Sequence, residues 1–314
     1  MKPRMLVAQR LCCVCLMLAS VPAFAGDDHG RGDEHWGKAW PMYSQHHHDF
    51  TAVVCGDVLT ASGTYVLTAD LVCDAPAVVI LATHVRLDLR GYSITNALPI
   101  SDEDQAGVVV AGTDVHVVNG TVSGFGLGVL ITGNENKVSV VAANGNLIGI
   151  FLCCGASGNR IVGNTASDNV SFGTIVGVGI QDWEGGGTEN AIKGNTANGN
   201  EAWGILIGDP SLPAVKGDKI TGNVANYNGN GGLLLFQGGA TGNVIRGNEF
   251  IGNTEYGIVS YSDTSDFPAR NLIQGNTALD SGIADLVDAS PVCENTWKSN
   301  TFSTEVSVAP GCTN

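Results

Sequence analysis

One six-residue phrase decides the fold of this chain: Asn159-Arg-Ile-Val-Gly-Asn164, repeated as Asn190-Ala-Ile-Lys-Gly-Asn195. Later copies of the phrase begin at Asp218, Asn243, Asn271 and, in a degenerate form, Asn295. Successive copies start 31, 28, 25, 28 and 24 residues apart. Short apolar runs at such a period, rich in Gly and Asn and without helical periodicity, are typical of a solenoid in which each repeat is one coil.

Each position of the phrase predicts one structural role. The third position is an apolar column that should face the coil interior: Ile161, Ile192, Ile220, Ile245, Ile273 and Trp297. The next position is mostly polar and should face outward, because side chains alternate along a strand: Val162, Lys193, Thr221, Arg246, Gln274 and Lys298. The Gly that follows predicts a sharp corner with positive φ. The final Asn predicts a hydrogen-bonded ladder along the stack.

A second anchor recurs in each coil as Gly followed by an aliphatic residue. It occurs at Gly107, Gly128, Gly149, Gly204, Gly232, Gly257 and Gly282. Between Asn169 and Asn190 either Gly173 or Gly179 fits, and the resemblance of Asn169-Val-Ser-Phe-Gly173 to Asn200-Glu-Ala-Trp-Gly204 favours Gly173. Residues 181–187 then become an inserted loop. The outward column of this sheet is predicted to be Val109, Leu130, Phe151, Ile175, Leu206, Leu234 and Val259.

These patterns predict an all-β chain, a single-stranded right-handed parallel β-helix (solenoid) of roughly nine or ten coils with N- and C-terminal caps. Three short strands in each coil predict three parallel sheets along the molecule. We assign residues 51–314 to this one domain, with caps at about 51–77 and about 293–314. Caps are expected because an open end would expose core and unpaired strand edges.

The first 25 residues predict export. They have a basic start, an apolar run from Leu11 to Val21 and the small-residue cleavage site Ala23-Phe-Ala25, as a secretory signal peptide does. No other stretch reaches the ~20 consecutive apolar residues of a membrane span. The predicted location is secreted or periplasmic, with the mature chain starting at Gly26 and no membrane span.

The charge balance restricts the partners. The formal charge is −15 and becomes −18 when the three cations of residues 1–25 are removed. Such a chain disfavours nucleic acid, whose binding requires clustered Lys and Arg. It would also repel an anionic polysaccharide unless a local basic groove intervened. The oligomeric state is not predicted.

Six Cys remain after residue 25. In an oxidising compartment their spacing predicts the local pairs Cys55–Cys73 and Cys293–Cys312, one at each end of the repeat array. The adjacent Cys153 and Cys154 leave three alternatives: a strained vicinal disulfide, thiols, or metal ligands.

Residues 26–50 form a His-rich leader without β periodicity, which predicts a disordered segment. Its run His46, His47 and His48 offers imidazoles that bind zinc, copper or nickel, so a metal-sequestering tail is the alternative.

The chain resembles the exported right-handed parallel β-helix repeat proteins of the pectate-lyase-like superfamily. The resemblance rests on the repeated phrase and on Cys55-Gly-Asp-Val-Leu-Thr60, Val85-Arg-Leu-Asp-Leu-Arg-Gly-Tyr92 and Val115-His-Val-Val-Asn-Gly-Thr-Val122. It implies the fold and an exported location. Members include polysaccharide lyases, sugar epimerases, glycoside hydrolases and a periplasmic protein of copper-site assembly. The Asp-Pro-His-Asp motif of the epimerases is absent, as are the hydrolase motifs, so the activity does not follow.

Candidate site residues lie on the loops after the apolar column. Acidic and phenolic groups on successive coils are candidate catalytic residues or Ca²⁺ ligands: Asp182, Glu184, Asp209, Tyr261 and Asp263. Candidate substrate-binding residues are Trp183, Trp203 and Tyr256, by stacking on sugars, and Lys193 and Arg246, by pairing with uronates. No cofactor is required by the sequence.

The leading functional hypothesis is an exported protein that binds, and as a lyase or hydrolase processes, a polysaccharide or other extracellular glycan. The alternative is a non-catalytic surface, adhesion or assembly module that uses the outward apolar column. A third hypothesis is periplasmic metal handling, with copper as the metal.

Overall fold

The computed structural model describes residues 50–101, 105–173, 175–183, 187–208 and 215–313. The predicted signal peptide, nearly all of the His-rich leader, Glu184 and Asp209 lie outside these residues. The described chain is all β, without a helix.

The strands are short and follow one another at regular intervals. The first fourteen are β1 (Thr51–Ala52), β2 (Asp57–Leu59), β3 (Gly63–Val66), β4 (Leu71–Cys73), β5 (Val78–Ile80), β6 (Val85–Asp88), β7 (Ser93–Asn96), β8 (Ala106–Val110), β9 (His116–Ser123), β10 (Leu127–Ile131), β11 (Lys137–Ala142), β12 (Ile148–Leu152), β13 (Arg160–Val162) and β14 (Val178–Asp182). The others are β15 (Ala191–Lys193), β16 (Trp203–Ile207), β17 (Val215–Lys216), β18 (Lys219–Thr221), β19 (Gly231–Phe236), β20 (Ala240–Thr241), β21 (Val244–Arg246), β22 (Glu249–Ile251), β23 (Tyr256–Tyr261), β24 (Leu272–Gln274), β25 (Thr277–Leu279), β26 (Ala284–Asp288), β27 (Thr296–Lys298) and β28 (Glu305–Ser307).

Two long parallel sheets run through the molecule. A 13-stranded sheet has the path β1-β3-β6-β9-β11-β13-β15-β18-β21-β24-β27, with β4 and β7 beside it. An 11-stranded sheet follows β2-β5-β8-β10-β12-β14-β16-β19-β23-β26-β28. Each strand pairs with the equivalent strand of the next coil. The predicted right-handed parallel β-helix is therefore confirmed.

The phrase fills its predicted roles. Ile161 pairs with Ile192 and then with Ile220, and all three are fully buried. The Gly at the corner has a φ between 62° and 64° in the five regular copies, so a side chain there would be strained.

The predicted ladder of Asn side chains is confirmed. The backbone N–H and Nδ2 of Asn195 both donate to Oδ1 of Asn223 in the next coil, at 2.9 and 3.0 Å. Nδ2 of Asn195 also donates to the carbonyl of Ile161 in the preceding coil, at 2.8 Å. The side chain is thereby satisfied without water, as a buried amide requires.

The third predicted sheet is present only in fragments. It runs as β4, β7 and the second halves of β9 and β11 in the first coils, is reduced to single bridges such as Thr165 with Thr196 in the middle coils, and reappears as β22 with β25. The residues after the phrase, Thr-Ala in three of the six copies, turn again too soon to form longer strands there.

The predicted anchor at Gly173 is wrong, and Gly179 takes its place. Strand β14 pairs Val178 with Ile148 on one side and with Trp203 on the other, which aligns Gly179 with Gly149 and Gly204. Gly173 lies in a turn with φ +62°. The insertion therefore precedes β14, and Gln181 rather than Ile175 occupies the outward column.

The outward column of the 11-stranded sheet, here called the apolar row, comprises Val109, Leu130, Phe151, Gln181, Leu206, Leu234 and Val259. These side chains are only 0 to 8% exposed although they point away from the coil interior. They form a second apolar cluster with Trp203 and Phe236. The row is thus a packed layer, which removes the open apolar surface required by the adhesion or assembly hypothesis.

Both predicted disulfides are present. Cys55 bonds to Cys73 and Cys293 bonds to Cys312, one pair at each end of the solenoid. Two disulfides fit an oxidising compartment outside the cytoplasm. Within the described ranges, no helix is long and apolar enough to cross a membrane.

Candidate functional site

Asp182 does not reach the surface. It ends β14 in the inward column, between Leu152 and Ile207 of the adjacent coils, and is 2% exposed. Its Oδ2 accepts a hydrogen bond from Asn190 Nδ2 at 2.9 Å. A side chain held inside the coil cannot touch a polysaccharide outside it, so the geometry argues against the predicted catalytic role.

Asp182 instead forms a buried carboxyl pair with Asp218. Asp218 occupies the first position of the phrase, where the other copies have Asn, and its Oδ1 accepts from the Asn190 backbone N–H at 2.8 Å. Its Oδ2 has no donor from another residue. Burial raises the pKa of both groups, and the neighbouring Asp182 raises the pKa of Asp218 further. A proton retained between the two carboxyls therefore stabilises the pair.

Two of the predicted aromatic residues belong to one stack. The Trp183 ring lies 5.9 Å from the Phe236 ring, and the Phe236 ring lies 6.3 Å from the Tyr261 ring, with interplanar angles of 17° and 11°. Burial, followed by the nearby Asp263, raises the pKa of the Tyr261 hydroxyl, which stays protonated. Trp203 is 4% exposed and packs over Gly231, so it offers no open stacking surface.

The loop after β23 brings the predicted Asp263 together with two further polar groups. Asp263 accepts a hydrogen bond from Nε2 of Gln237, which is itself buried. The Asp266 carboxylate packs against Gly238, where a Cβ would lie 2.0 Å from its Oδ2. Asp182 remains inside the coil, so the candidate acids do not form one open cleft.

The side of the solenoid next to this loop contains a groove of about 630 Å³. Its floor follows the turns that lead from the 11-stranded sheet to the phrase. The residues that define it here are Lys216, Thr241, Asp266, Phe267, Arg270 and Glu294. The volume lies within the range of small-ligand sites, roughly 300 to 1,000 Å³.

The groove presents charges of both signs beside one aromatic ring. Lys216, Arg270, Asp266 and Glu294 are exposed, and Phe267 is half-buried. No described carboxylate oxygen lies within 4.0 Å of a nitrogen of Lys216 or Arg270. Both cations are therefore available to a ligand, and the two carboxylates can accept hydrogen bonds from ligand hydroxyls.

Most residues of the groove were not predicted from the sequence. The repeat does contain a signal, because Lys216 and Thr241 precede the phrase by two positions and Arg270 and Glu294 precede it by one. Equivalent positions of adjacent coils lie side by side in a parallel stack. Extending the alignment two residues before each phrase would have placed the four groups on one surface.

The remaining predicted residues lie in separate parts of the chain. Lys193 and Arg246 are exposed on the outer face of the 13-stranded sheet, and Tyr256 is half-buried beside Gly231. Glu184, Asp209, His46, His47 and His48 lie outside the described residues. Within the described part of the chain, no three His, Cys, Asp or Glu side chains group as metal ligands. Cys153 and Cys154 are thiols whose Sγ atoms lie 2.8 Å apart.

Comparison with known proteins places most of the solenoid in one family. The family model described as "Periplasmic copper-binding protein (NosD)" matches residues 106–310, which is more than half of the chain. No curated protein matches the chain.

Several solved structures share the fold. The Dettilon tailspike protein gp208 is 15% identical, with a TM-score of 0.60 over 82% of this chain and 55% of its own. Pectate lyase Pel9A is 18% identical, with a TM-score of 0.57 over 79% of this chain and 72% of its own. The Agl-KA catalytic domain is 13% identical, with a TM-score of 0.55 over 84% of this chain and 59% of its own. This chain thus spans little more than half of the tailspike.

Proposed function

We propose that this chain, which belongs to the NosD family, is an exported β-helix protein that binds a polysaccharide in the groove. The observation that carries the proposal is the groove itself, where Lys216 and Arg270 lie beside Phe267 and neither pairs with a carboxylate of the described residues. The pectate lyase with the same fold supports a glycan as the ligand.

Each type of side chain in the groove matches a part of a sugar. The Phe267 ring offers an apolar face to the C–H groups of a pyranose, as aromatic residues do in sugar sites. Lys216 and Arg270 donate to carboxylates or hydroxyls. Asp266 and Glu294 accept from hydroxyls. A glycan that contains uronic acid would use all three.

The test is a binding screen of the purified protein against neutral and uronic-acid oligosaccharides by calorimetry. Phe267→Ala should weaken binding about tenfold, because it removes the stacking surface. Arg270→Gln should weaken binding of the acidic sugars by a similar factor. Arg90→Gln is the matched control, because Arg90 is also an exposed Arg in a left-handed turn, with φ 52° against 57° for Arg270. Absence of binding to every oligosaccharide would refute the proposal.

The same samples test for catalysis. A rise in ultraviolet absorbance from unsaturated sugars identifies a lyase, and new reducing ends without that rise identify a hydrolase. If the protein binds the sugar and gives neither signal, its function is binding without catalysis.

A second candidate function is the handling of copper as cargo, supported by the family description and by the adjacent thiols of Cys153 and Cys154. Thiol sulfur is a soft ligand that suits Cu(I), and Cys154 is exposed at the surface. Titration with Cu(I) should show a site that is lost in the Cys153→Ser, Cys154→Ser variant. Retention of that site in the variant, with loss on deletion of residues 26–49, would assign the metal to the leader instead. No binding would exclude this function.

A further inference from the structure

The outer face of the 13-stranded sheet has an unusual charge for this acidic protein. Its strands expose two outward positions each, the second and fourth of the phrase. Ten of the fifteen Lys and Arg residues lie within the described ranges, and six of these ten occupy the exposed outward positions from β11 to β27. We call this surface the basic face: Lys137, Arg160, Lys193, Lys219, Arg246 and Lys298.

The basic face has one cation on almost every coil. Strand pairing aligns Lys137 with Arg160 directly. Lys193 follows on the next coil, Lys219 on the one after it, and Arg246 on the next, alternating between the two outward columns. Only the coil of β24 lacks a cation before Lys298. The cations are thus spaced along the axis by about one strand separation, roughly 4.8 Å.

Negative charge is nearly absent from the same columns. Among the described residues, Asp88 is their one carboxylate, and its Oδ2 accepts from Arg86 at 3.0 Å. Neither of the two ion pairs of the described residues involves a cation of the basic face. One border of the face is the line of corner glycines that includes Gly194 and Gly222. The cations are therefore free to pair with a ligand.

At its N-terminal end the basic face meets His116. Arg86 Nη1 lies 3.1 Å from His116 Nδ1, and His116 Nε2 lies 2.8 Å from Ser139 Oγ. Because a guanidinium only donates, Nδ1 accepts and Nε2–H donates to the Ser139 hydroxyl. That tautomer does not deprotonate Ser139. Burial lowers the pKa of His116, and the positive charges of Lys137 and Arg86 lower it further.

We infer that the basic face binds a linear polyuronate laid along the solenoid axis, with one carboxylate near the cation of each coil. The inference rests on the proposed binding of a glycan but uses a different surface from the groove. An acidic chain needs a local basic surface to bind an anionic polysaccharide, and the basic face supplies one because the cations are concentrated there.

The geometry favours a polyuronate over a nucleic acid. Proteins bind nucleic acid with clustered Lys and Arg. Proteins that bind single strands also supply aromatic rings for base stacking. The outward positions of β11, β13, β15, β18, β21, β24 and β27 contain no aromatic residue. They do contain short side chains such as Ala191, Val162 and Thr221, which form a flat floor between the cations.

The first measurement is affinity against ligand length. Polygalacturonate fragments of defined length are titrated into the purified protein by calorimetry at low salt. From Lys137 to Lys298 the face spans seven strands, or about 29 Å. Affinity should rise with length up to about seven sugars and then level off, and it should fall as salt is added. Affinity that is independent of length above two or three sugars would overturn the inference.

The second measurement compares two charge-matched triple variants. K193Q/K219Q/R246Q removes the cations of three successive coils and should lower affinity for the longest fragment about tenfold or more. R31Q/K38Q/R90Q changes the net charge equally, leaves the basic face intact, and should lower affinity less than twofold. Equal losses in both variants, or no loss in the first, would overturn the inference.

Two further measurements test the class of ligand and distinguish binding at the basic face from binding in the groove. Single-stranded DNA of equal charge should bind at least about tenfold more weakly than the polyuronate, and equal binding would overturn the assignment of the ligand. Phe267→Ala should leave the dependence on length unchanged. If that variant alone abolishes binding of the long fragments, the groove is the site, the proposed function stands and the basic face is overturned.

Discussion

The outer faces of the two long sheets are built by the same coils and differ in almost every property. The outward column of the 11-stranded sheet, the apolar row, is at most 8% exposed. The basic face of the 13-stranded sheet consists of exposed Lys and Arg. In each sheet the inward side chains are fixed by the packed interior. The comparison teaches that the coil specifies only its inner half, so each outer face is free to acquire its own chemistry.

The largest expected effect tests whether the apolar row is part of the core. Leu234→Ala should lower the free energy of unfolding by about 3 kcal/mol, because Leu234 is fully buried and truncation leaves a cavity. Thr221→Ala on the opposite outer face should change it by less than about 0.5 kcal/mol. Urea unfolding followed by circular dichroism measures both. Similar losses in the two variants would remove the distinction between the faces.

The next effect tests which residue belongs to the 11-stranded sheet. Gly179→Ala should cost about 2 to 3 kcal/mol, because its Cβ would lie 2.6 Å from the carbonyl oxygens of Ala166 and Gly204. Gly173→Ala, where no atom lies within 4 Å of the Cβ, should cost only about 1 kcal/mol for its left-handed backbone. Thermal unfolding of both variants ranks them. The reverse order would restore Gly173 as the anchor.

A smaller, pH-dependent effect tests the interior between the faces. Unfolded carboxyls ionise near pH 4, whereas burial keeps the Asp182–Asp218 pair protonated to higher pH. The folded state then binds more protons, so stability is lost as the pH rises above about 4. Asp218→Asn should therefore stabilise the protein by about 1 to 2 kcal/mol at pH 8 and by much less at pH 4.

The control for this prediction is the reciprocal change in a regular coil. Asn271→Asp removes the Nδ2 donor to the carbonyl of Ala240 and buries a new carboxyl. It should destabilise the protein, and more at pH 8 than at pH 4. Parallel pH profiles for Asp218→Asn and the unmodified protein would contradict the assigned proton.

The smallest effect uses His116 as a reporter of the basic face. Lys137→Gln should raise the pKa of His116, because it removes a nearby positive charge. The chemical shift of the imidazole Hε1, followed by NMR against pH, measures the change. Lys298→Gln at the far end of the same face is the control and should leave the pKa unchanged. A pKa that does not respond to Lys137→Gln would show that burial alone sets it.

The repeat and the buried positions of each coil could be predicted almost completely from the sequence. Ile161 and Asn164 could be assigned because each position recurs in six coils and only one environment satisfies all six copies. Gly173 was misassigned because its local context matches a true anchor, and only pairing with Gly149 and Gly204 distinguishes it from Gly179. Placing the anchor at Gly173 assigned Asp182 to a loop, whereas its true register places it inside the coil.

The site was less predictable than the fold. Phe267 belongs to a turn of unequal length, where no repeat constrains the residues, and Arg270 is found only when the alignment is extended before the phrase. Lys193 and Arg246 were identified because they share one column, but Lys137 lies outside the phrase altogether. Arg160 and Lys219 occupy a second outward column that only the strand register aligns with the first. Single residues could thus be identified from the sequence, whereas the surface that they form is recognised only from the register of the stacked strands.

The Asn ladder gives the molecule a direction. Asn164 donates to Asn195, Asn195 to Asn223, and so on to Asn300, always from one coil to the next. The two ends of the ladder are therefore chemically unlike, as the ends of a polar filament are: Asn164 donates its N–H to the next coil, whereas the Asn300 oxygen accepts from the preceding one. A coil can be added or removed only as a whole unit and only in one orientation. The number of coils, and with it the length of any extended ligand, can thus change in discrete steps while the architecture stays the same.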